Sequence, residues 1–487
     1  MRYVRSIAPA GGSGSLASPY SSITAALRSV SNSSRLILCV SAGQYTESLN
    51  LGTNRRIVLV GGFAGNFATR SPATTPSVLR PTGAAQDVIT AQSPYGLTID
   101  GFEITGSQRR GINVTLWDNA SESVVLLNNH VHHNGSTANP GNSAGTGGIN
   151  IGGGARPSVV VSNNVIEANR GWHHGAGLNI GGGAQNINPI TRDGNSNDGY
   201  GAIATVANGL AKVSYNIIRN NELYETWLPH GAGAAVAMNA IVDHNEFSGN
   251  ATVGNGAYYG VGGGLIAQHG SSNDRSLALV RVENNWFENN RAGKAGSAVF
   301  LDQTHAGYVI NNVIVNNIGP GAILVDGACS NRCAGINGNH DRNFVTVVNN
   351  TVAGNQGAGL AVQDSTAHLY YNVFWNNSAV DDVLLLEGSP GAANIVRGSG
   401  NVINSVNPGL SNTIVARNVP NVLGSDFRLV REVINNARAS TAERSFVPAL
   451  VFPGSLFVNQ VNDKDFQSRN RWQNGRILFG AYADTVQ

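Results

Sequence analysis

One short phrase recurs through most of the chain. It reads NNHVHHN from residue 128, NNVIEAN from 163, YNIIRNN from 215, HNEFSGN from 244 and NNWFENN from 284. It continues as NNVIVNN from 311, NNTVAGN from 349 and YNVFWNN from 371, and fades in GNVIN from 400. Measured at the shared Asn, successive copies lie 35, 52, 29, 40, 27, 38, 22 and 29 residues apart. A fixed phrase at such intervals marks a repeat architecture, in which each unit buries its apolar face only by stacking on its neighbours. The shortest steps approximate one turn of a coil, and the longer ones carry loop insertions.

After each phrase come a glycine-rich turn and a short strand. The strands include GINV from 111, GGINI from 147, GAGLNI from 175, GGGLIAQ from 262, GSAVFLDQ from 296, GAILVD from 321 and GAGLAVQD from 357. Apolar residues alternate within them, which gives each strand one buried face. No helical period competes over this region. Short strands, glycine turns and one Asn per coil describe a parallel β-solenoid, with the Asn amides bonding coil to coil. The doubled words WHHGAGLNIGGG from Trp172 and WLPHGAGAAVAMN from Trp227 are then two coils using the same turn to enter the same strand.

The chain of 487 residues also resembles a known group. YVRSIAPAGGSGSLASPYSSITAALRSV near the start, SAGQYTESLNL from 41, LVGGF from 59 and the tail VNDKDFQSRNRWQNGRILFGAYAD from 461 resemble the right-handed parallel β-helix proteins of the pectate-lyase-like superfamily. The resemblance implies an all-β, single-stranded right-handed solenoid over residues 1–410. An N-terminal helix at about 21–30 would cap it, and residues 411–487 would form an irregular C-terminal cap that includes Asp463 and Asp465. The superfamily holds lyases, hydrolases, epimerases, tailspikes and adhesins, so the fold does not choose a function.

Composition excludes some classes. Charged residues are 12% of the chain, the net charge is +2, and Lys212, Lys294 and Lys464 are the only lysines. No basic surface for nucleic acid is expected. No apolar run is long enough for a membrane span. The start lacks an apolar signal core; a secreted, periplasmic or extracellular protein whose leader has been removed is expected, with a cytosolic one as the alternative. Cys39, inside RLILCV, is expected to be buried and inert. Cys329 and Cys333 can close a small disulfide or remain two thiols. No zinc site is expected, since no second Cys or His pair stands at ligand spacing.

Function must come from a site. With the strands aligned on their leading glycine, Leu178, Leu265, Val299, Ile323 and Leu360 point inward, as do Ile180, Ala267, Leu301, Val325 and Val362. The last outward position then reads Gly181, Ala237, Gln268, Asp302, Asp326 and Gln363 down successive coils, with Glu387 as a continuation. Asp302 and Asp326 would stand about 4.8 Å apart on one exposed face, and two stacked carboxylates repel unless a cation or a shared proton intervenes. The plain alternative is that strand ends favour Asp as a turn residue.

The surroundings suit a carbohydrate site, where aromatics stack on sugar faces and carboxylates do acid, base or metal work. His305 and Arg342 lie in segments leaving this column; Trp172, His174, Trp227, His230 and Lys294 lead into it. Candidate catalytic residues are Asp302, Asp326, His230, His305 and Lys294. Candidate substrate contacts are Trp172, His174, Trp227, Gln268, Arg342 and Gln363. His130, His132 and His133 read as part of a polar solenoid face. Three functions fit. The foremost is a lyase cleaving a uronic-acid polysaccharide by β-elimination, with calcium held by Asp302 and Asp326, as in similar folds. The second is a glycoside hydrolase or transglycosylase that uses the two aspartates as its acid–base pair. The third is a non-catalytic glycan-binding or tailspike-like protein.

Overall fold

A computed structural model describes residues 1–30, 35–53, 55–116, 123–137, 145–153, 158–172, 174–181, 210–224, 230–253, 260–268, 279–294, 296–302, 306–327, 343–379, 381–386, 394–403, 410–411, 414–415, 438–440, 472–473 and 476–478. The chain winds through three parallel sheets in turn. The first, sheet A, has 14 strands and runs from Arg2–Val4 to Leu410–Ser411; sheet B has 13, from Gly43–Thr46 to Ile414–Val415; sheet C has 11, from Leu49–Thr53 to Val383–Leu385. Within each sheet the order steps by one coil at a time, so every strand pairs with its counterparts in the coils above and below. This is a single-chain parallel β-helix. Strand stacking continues to Val415. Beyond it a small antiparallel sheet of Arg438–Ser440, Trp472–Gln473 and Arg476–Leu478 is described.

The inward columns are the ones the alternation predicts. Leu178, Ile180, Leu265, Ala267, Val299, Leu301, Ile323, Val325, Leu360 and Val362 all lie in the one continuous core. In sheet B the inward residue is the middle of each three-residue strand. Val131, Ile166, Ile218, Phe247, Phe287, Ile314, Val352 and Phe374 stack there, and the Phe247 and Phe287 rings lie 4.8 Å apart and nearly parallel.

The recurring phrase forms not one amide ladder but two, one at each end of the sheet B strand. The first runs Asn129, Asn164, Asn216, Asn245, Asn285, Asn312, Asn350, Asn372, Asn401; each backbone N–H and each Nδ2 donates to the Oδ1 of the next. The second lies five residues later in each coil and runs Asn134, Asn169, Asn221, Asn250, Asn290, Asn317, Asn355, Asn377. It ends where Asn377 Nδ2 donates to Asp382. The expectation of one Asn per coil is corrected here. The signal was present: the phrase itself closes on a second Asn. Before each ladder Asn stands a residue with positive φ, among them Asn128, His133, Asn163, Tyr215, His244, Asn284 and Asn289. The left-handed turn bends the chain from one sheet to the next, and Asn tolerates it better than most residues.

The N-terminal coil is closed by the expected helix, Ile23–Arg28, which buries Ile23, Ala26 and Leu27. Ser22 caps it through Oγ, which accepts from Ala25 N at 3.1 Å. The Glu47 carboxylate accepts from Ile23 N at 2.9 Å and Thr24 N at 2.7 Å. A negative group on free N–H donors at a helix start is stabilising. Glu47→Ala is therefore expected to cost about 1–2 kcal/mol, read as a lower urea midpoint with an unchanged slope.

Candidate functional site

The outward face of sheet C carries two columns. In register, the outer one reads Ala237, Gln268, Asp302, Asp326 and Gln363, with Gln268 opposite Asp302, Asp302 opposite Asp326, and Asp326 opposite Gln363. The structure thus brings together two carboxylates bracketed by two amides. The middle column is apolar: Ala235, Ile266, Phe300, Leu324 and Ala361 form a second hydrophobic cluster outside the solenoid core. The face was expected to be exposed. It is not, since Ile266 is 0% exposed and Phe300 4%. Asp302 and Asp326 are half-buried and Gln268 is buried at 6% exposure. Alternation alone shows which side of a strand a residue takes, not what covers that side.

Burial changes the chemistry of the pair. Loss of water around Asp302, reinforced by the charge of Asp326 beside it, raises its pKa well above the ordinary carboxylate range. Both effects disfavour a second negative charge at one place. The Oε1 of Gln268 is buried without a hydrogen-bond donor. Among the described residues, no group of three or more His, Cys, Asp or Glu surrounds a single point.

Toward the N-terminal end the middle column changes character. Asn179 Nδ2 donates to Asn150 Oδ1 at 2.8 Å, Asn150 Nδ2 to Asn113 Oδ1 at 2.9 Å, and Asn113 Nδ2 to Asp87 at 3.2 Å. Arg109 and Arg110 hold that aspartate at 3.3 and 3.2 Å. The sheet face is a polar wall for its first half and an apolar one for its second.

His174 and His230 stand in register at the leading end of the sheet C strands, with ring centroids 5.2 Å apart. His230 is 6% exposed. The following glycines share one left-handed turn: φ is +53° at Gly175, +70° at Gly231, +66° at Gly262 and +65° at Gly296. A Cβ at Gly175 would meet the carbonyl oxygen of Leu178 at 2.1 Å. The repeated His-Gly-Ala-Gly is therefore a turn shared by adjacent coils, as its spacing suggested. Trp172 is half-buried just before it, its backbone N–H donating to Gly145 O at 2.7 Å. Lys294 is exposed at the leading end of the strand whose far end carries Asp302. Trp227, His305, Arg342, Glu387, Cys329, Cys333, Asp463 and Asp465 lie outside the described residues. Cys39 is buried and free, with burial raising its thiol pKa.

Sequence reasoning missed a second ionisable group, on sheet A. Asp243 and Glu283 are in register on adjacent coils. Burial pushes Asp243 up, but hydrogen bonds from His244 and Ser214 outweigh it and leave the carboxyl below its ordinary value. Burial raises Glu283 against the pull of Arg281, whose Nε lies 2.5 Å from Oε2. Each carboxylate is closed by its own partner, and Arg281 is only 5% exposed. The available signal was positional: Ser214, Asp243 and Glu283 all sit two residues before a ladder Asn.

Three parallel sheets wound by one chain, with amide ladders in the turns, make a parallel β-helix. Two solved structures are similar in fold. XylC, in its complex with xylose, matches with a TM-score of 0.44 and 11% identity, over 99% of this chain and 98% of that one. Pectate lyase Pel9A matches with a TM-score of 0.35 and 15% identity, over 81% and 78%. No protein-family model and no curated protein sequence matches the chain. No helix among the described residues is long and apolar enough to cross a membrane.

Proposed function

We propose that the protein is a polysaccharide-cleaving enzyme and that Asp302 and Asp326 carry its reaction. The observation that supports this is the pair itself: two carboxyls in register, one pushed to keep its proton by burial and by the other's charge. Carboxyls whose environments drive their proton affinities apart divide into acid and base. In glycosidic bond cleavage Asp302 would protonate the departing oxygen, and Asp326 would act on the anomeric carbon or on a water. One coil step is about 4.8 Å, near the separation of about 5–5.5 Å used by retaining enzymes. Asp326 is then the nucleophile: it forms a glycosyl ester as the C–O bond breaks, and Asp302 accepts the proton of the water that hydrolyses it. Trp172, half-buried before the His174 turn, offers a ring for a sugar face.

A second reading, β-elimination on a uronic-acid polymer, is favoured by one specific observation. The buried Oε1 of Gln268 lacks a donor beside two carboxylates. Oxygens alone, two charged and one amide, suit a hard cation such as calcium. Asp302, Asp326 and Gln268 would hold it, and a bound ion would neutralise the uronate and acidify its α-proton. Either reading would have the protein act on polymers outside the cell.

One assay separates them. A panel of neutral and acidic polysaccharides is incubated with the protein and scored for new reducing ends and for ultraviolet absorbance of unsaturated ends. Reducing ends without absorbance, unaffected by a chelator, are expected. Absorbance that a chelator removes and calcium restores would replace the hydrolytic reading by the eliminative one. Neither product across the panel would sink both, leaving a binding protein.

A further inference from the structure

His130, His132 and His133 stand together on the outer side of sheet B, far along the coil from the aspartate pair. His130 and His132 are alternate residues of one strand, and their rings stack at 4.1 Å. His133 follows with φ +51°, at the turn position that holds Asn289 or Asn316 in other coils. That left-handed step turns its ring back, edge-to-face on His132 at 5.1 Å. The Nδ1 atoms of His132 and His133 are 2.8 Å apart.

Carboxylates fix the other side of two of these rings. Glu103 lies 3.3 Å from His132 Nε2, and Glu167 lies 2.7 Å from His130 Nε2. A carboxylate accepts only a proton-bearing nitrogen, so His132 carries its proton on Nε2 and presents a lone pair at Nδ1. A carboxylate behind an imidazole is the arrangement that orients metal-ligating histidines. Thr105 Oγ1, 3.4 Å from the same Nδ1, is a further oxygen at hand.

We propose that His132 and His133 form a two-nitrogen site for a divalent transition ion that favours right-angle coordination, copper(II) first and nickel(II) next. The 2.8 Å separation sets the preference. With metal–nitrogen bonds of about 2.0–2.1 Å, it subtends an angle of roughly 85–90° at the ion. Tetrahedral zinc would need nitrogens about 3.3 Å apart at the same bond length. Tetragonal nitrogen and oxygen sites select copper(II) and nickel(II), and copper(II) also leads in intrinsic affinity. Among the described residues no third His, Cys, Asp or Glu joins at this point, and water would complete the sphere. On binding, the proton between the two Nδ1 atoms leaves and His133 carries its ring proton on Nε2 instead, so the two rings stay neutral ligands, no net proton is released and no electron moves.

The test is titration of the full chain with copper(II) chloride, followed by electron paramagnetic resonance and visible absorption, with zinc chloride in parallel. One copper coupled to two nitrogens is expected, with zinc bound about tenfold or more weakly. His133→Asn places at the turn the residue that other coils use, so it should fold, and it should abolish the two-nitrogen signal. Glu103→Gln should weaken copper about 10–100-fold. Copper binding that survives His133→Asn unchanged, or zinc bound as tightly as copper, would overturn the proposal.

Discussion

Asp302→Asn and Asp326→Asn should each lower polysaccharide cleavage by a factor of about a hundred or more, with the fold intact. The two losses have different causes. Asn at 302 cannot deliver a proton to a departing oxygen; Asn at 326 cannot form or support the glycosyl ester. Neither side chain belongs to the solenoid core, since both point out of sheet C while the residues just before them, Leu301 and Val325, point into that core. Asn at 302 replaces a carboxyl that holds its proton by a neutral amide, and Asn at 326 adds no charge to the face, so stability should change by about 1 kcal/mol or less, read from thermal melts. The pH profile carries the sign of the mechanism. A raised pKa means that Asp302 keeps its proton above the usual carboxylate range, and activity falls as pH rises through that raised value. In Asp326→Asn the neighbouring charge is gone. Any residual activity should then lose its alkaline limb at lower pH than the wild type, because burial alone remains to hold the proton. An alkaline limb unmoved by Asp326→Asn would mean that the two carboxyls do not act on each other.

Much of this was legible in the sequence because a solenoid repeats its physics. Period-two alternation assigned Leu178, Leu265, Val299, Ile323 and Leu360 to the interior without reference to any distant residue, and register followed from the shared glycine. Asp302 and Asp326 could be aligned for the same reason: in a parallel sheet, equal offset from a turn means adjacency in space. What was not legible depends on contacts between different parts of the chain. Phe300 and Leu324 look like exposed apolar residues in their own strands, yet they are buried, and Asp302 beside them is raised by its own burial and by Asp326. The second amide ladder was visible as the closing Asn of NNHVHHN but was read as part of one turn. Asp243 and Glu283 gave no motif, because their partners, His244 and Arg281, are ordinary neighbours along or across strands. His133 was hidden by the left-handed turn, which sets its exposed ring edge-to-face on His132.

The largest stability effect should come from the ladders. Asn285 illustrates why. It is 0% exposed, and its Oδ1 accepts from both the backbone N and the Nδ2 of Asn245, at 2.9 Å each. Its Nδ2 donates to Val242 O at 2.8 Å and to Asn312 Oδ1 at 3.1 Å. Asn285→Ala deletes all four bonds, opens a buried gap and takes away the acceptor of the Asn245 backbone N–H, while Asn245 Nδ2 keeps Val213 O and Asp243 O and Asn312 Oδ1 keeps the backbone N–H of residue 285. A net hydrogen bond contributes only about 1 kcal/mol, but an orphaned buried group costs about 1–3 kcal/mol. Even with partial rearrangement the loss should reach about 3 kcal/mol or more. The preceding residue provides the control. Asn284 has φ +54° and supplies no rung of the ladder. Asn284→Gly removes an amide of the same size one position away while suiting the left-handed backbone, and should change stability by less than about 1 kcal/mol. Chemical denaturation of both variants measures the difference. If Asn285→Ala melts as little as Asn284→Gly, the amides do not hold the coils together, and stacking of the apolar interior columns alone carries the solenoid.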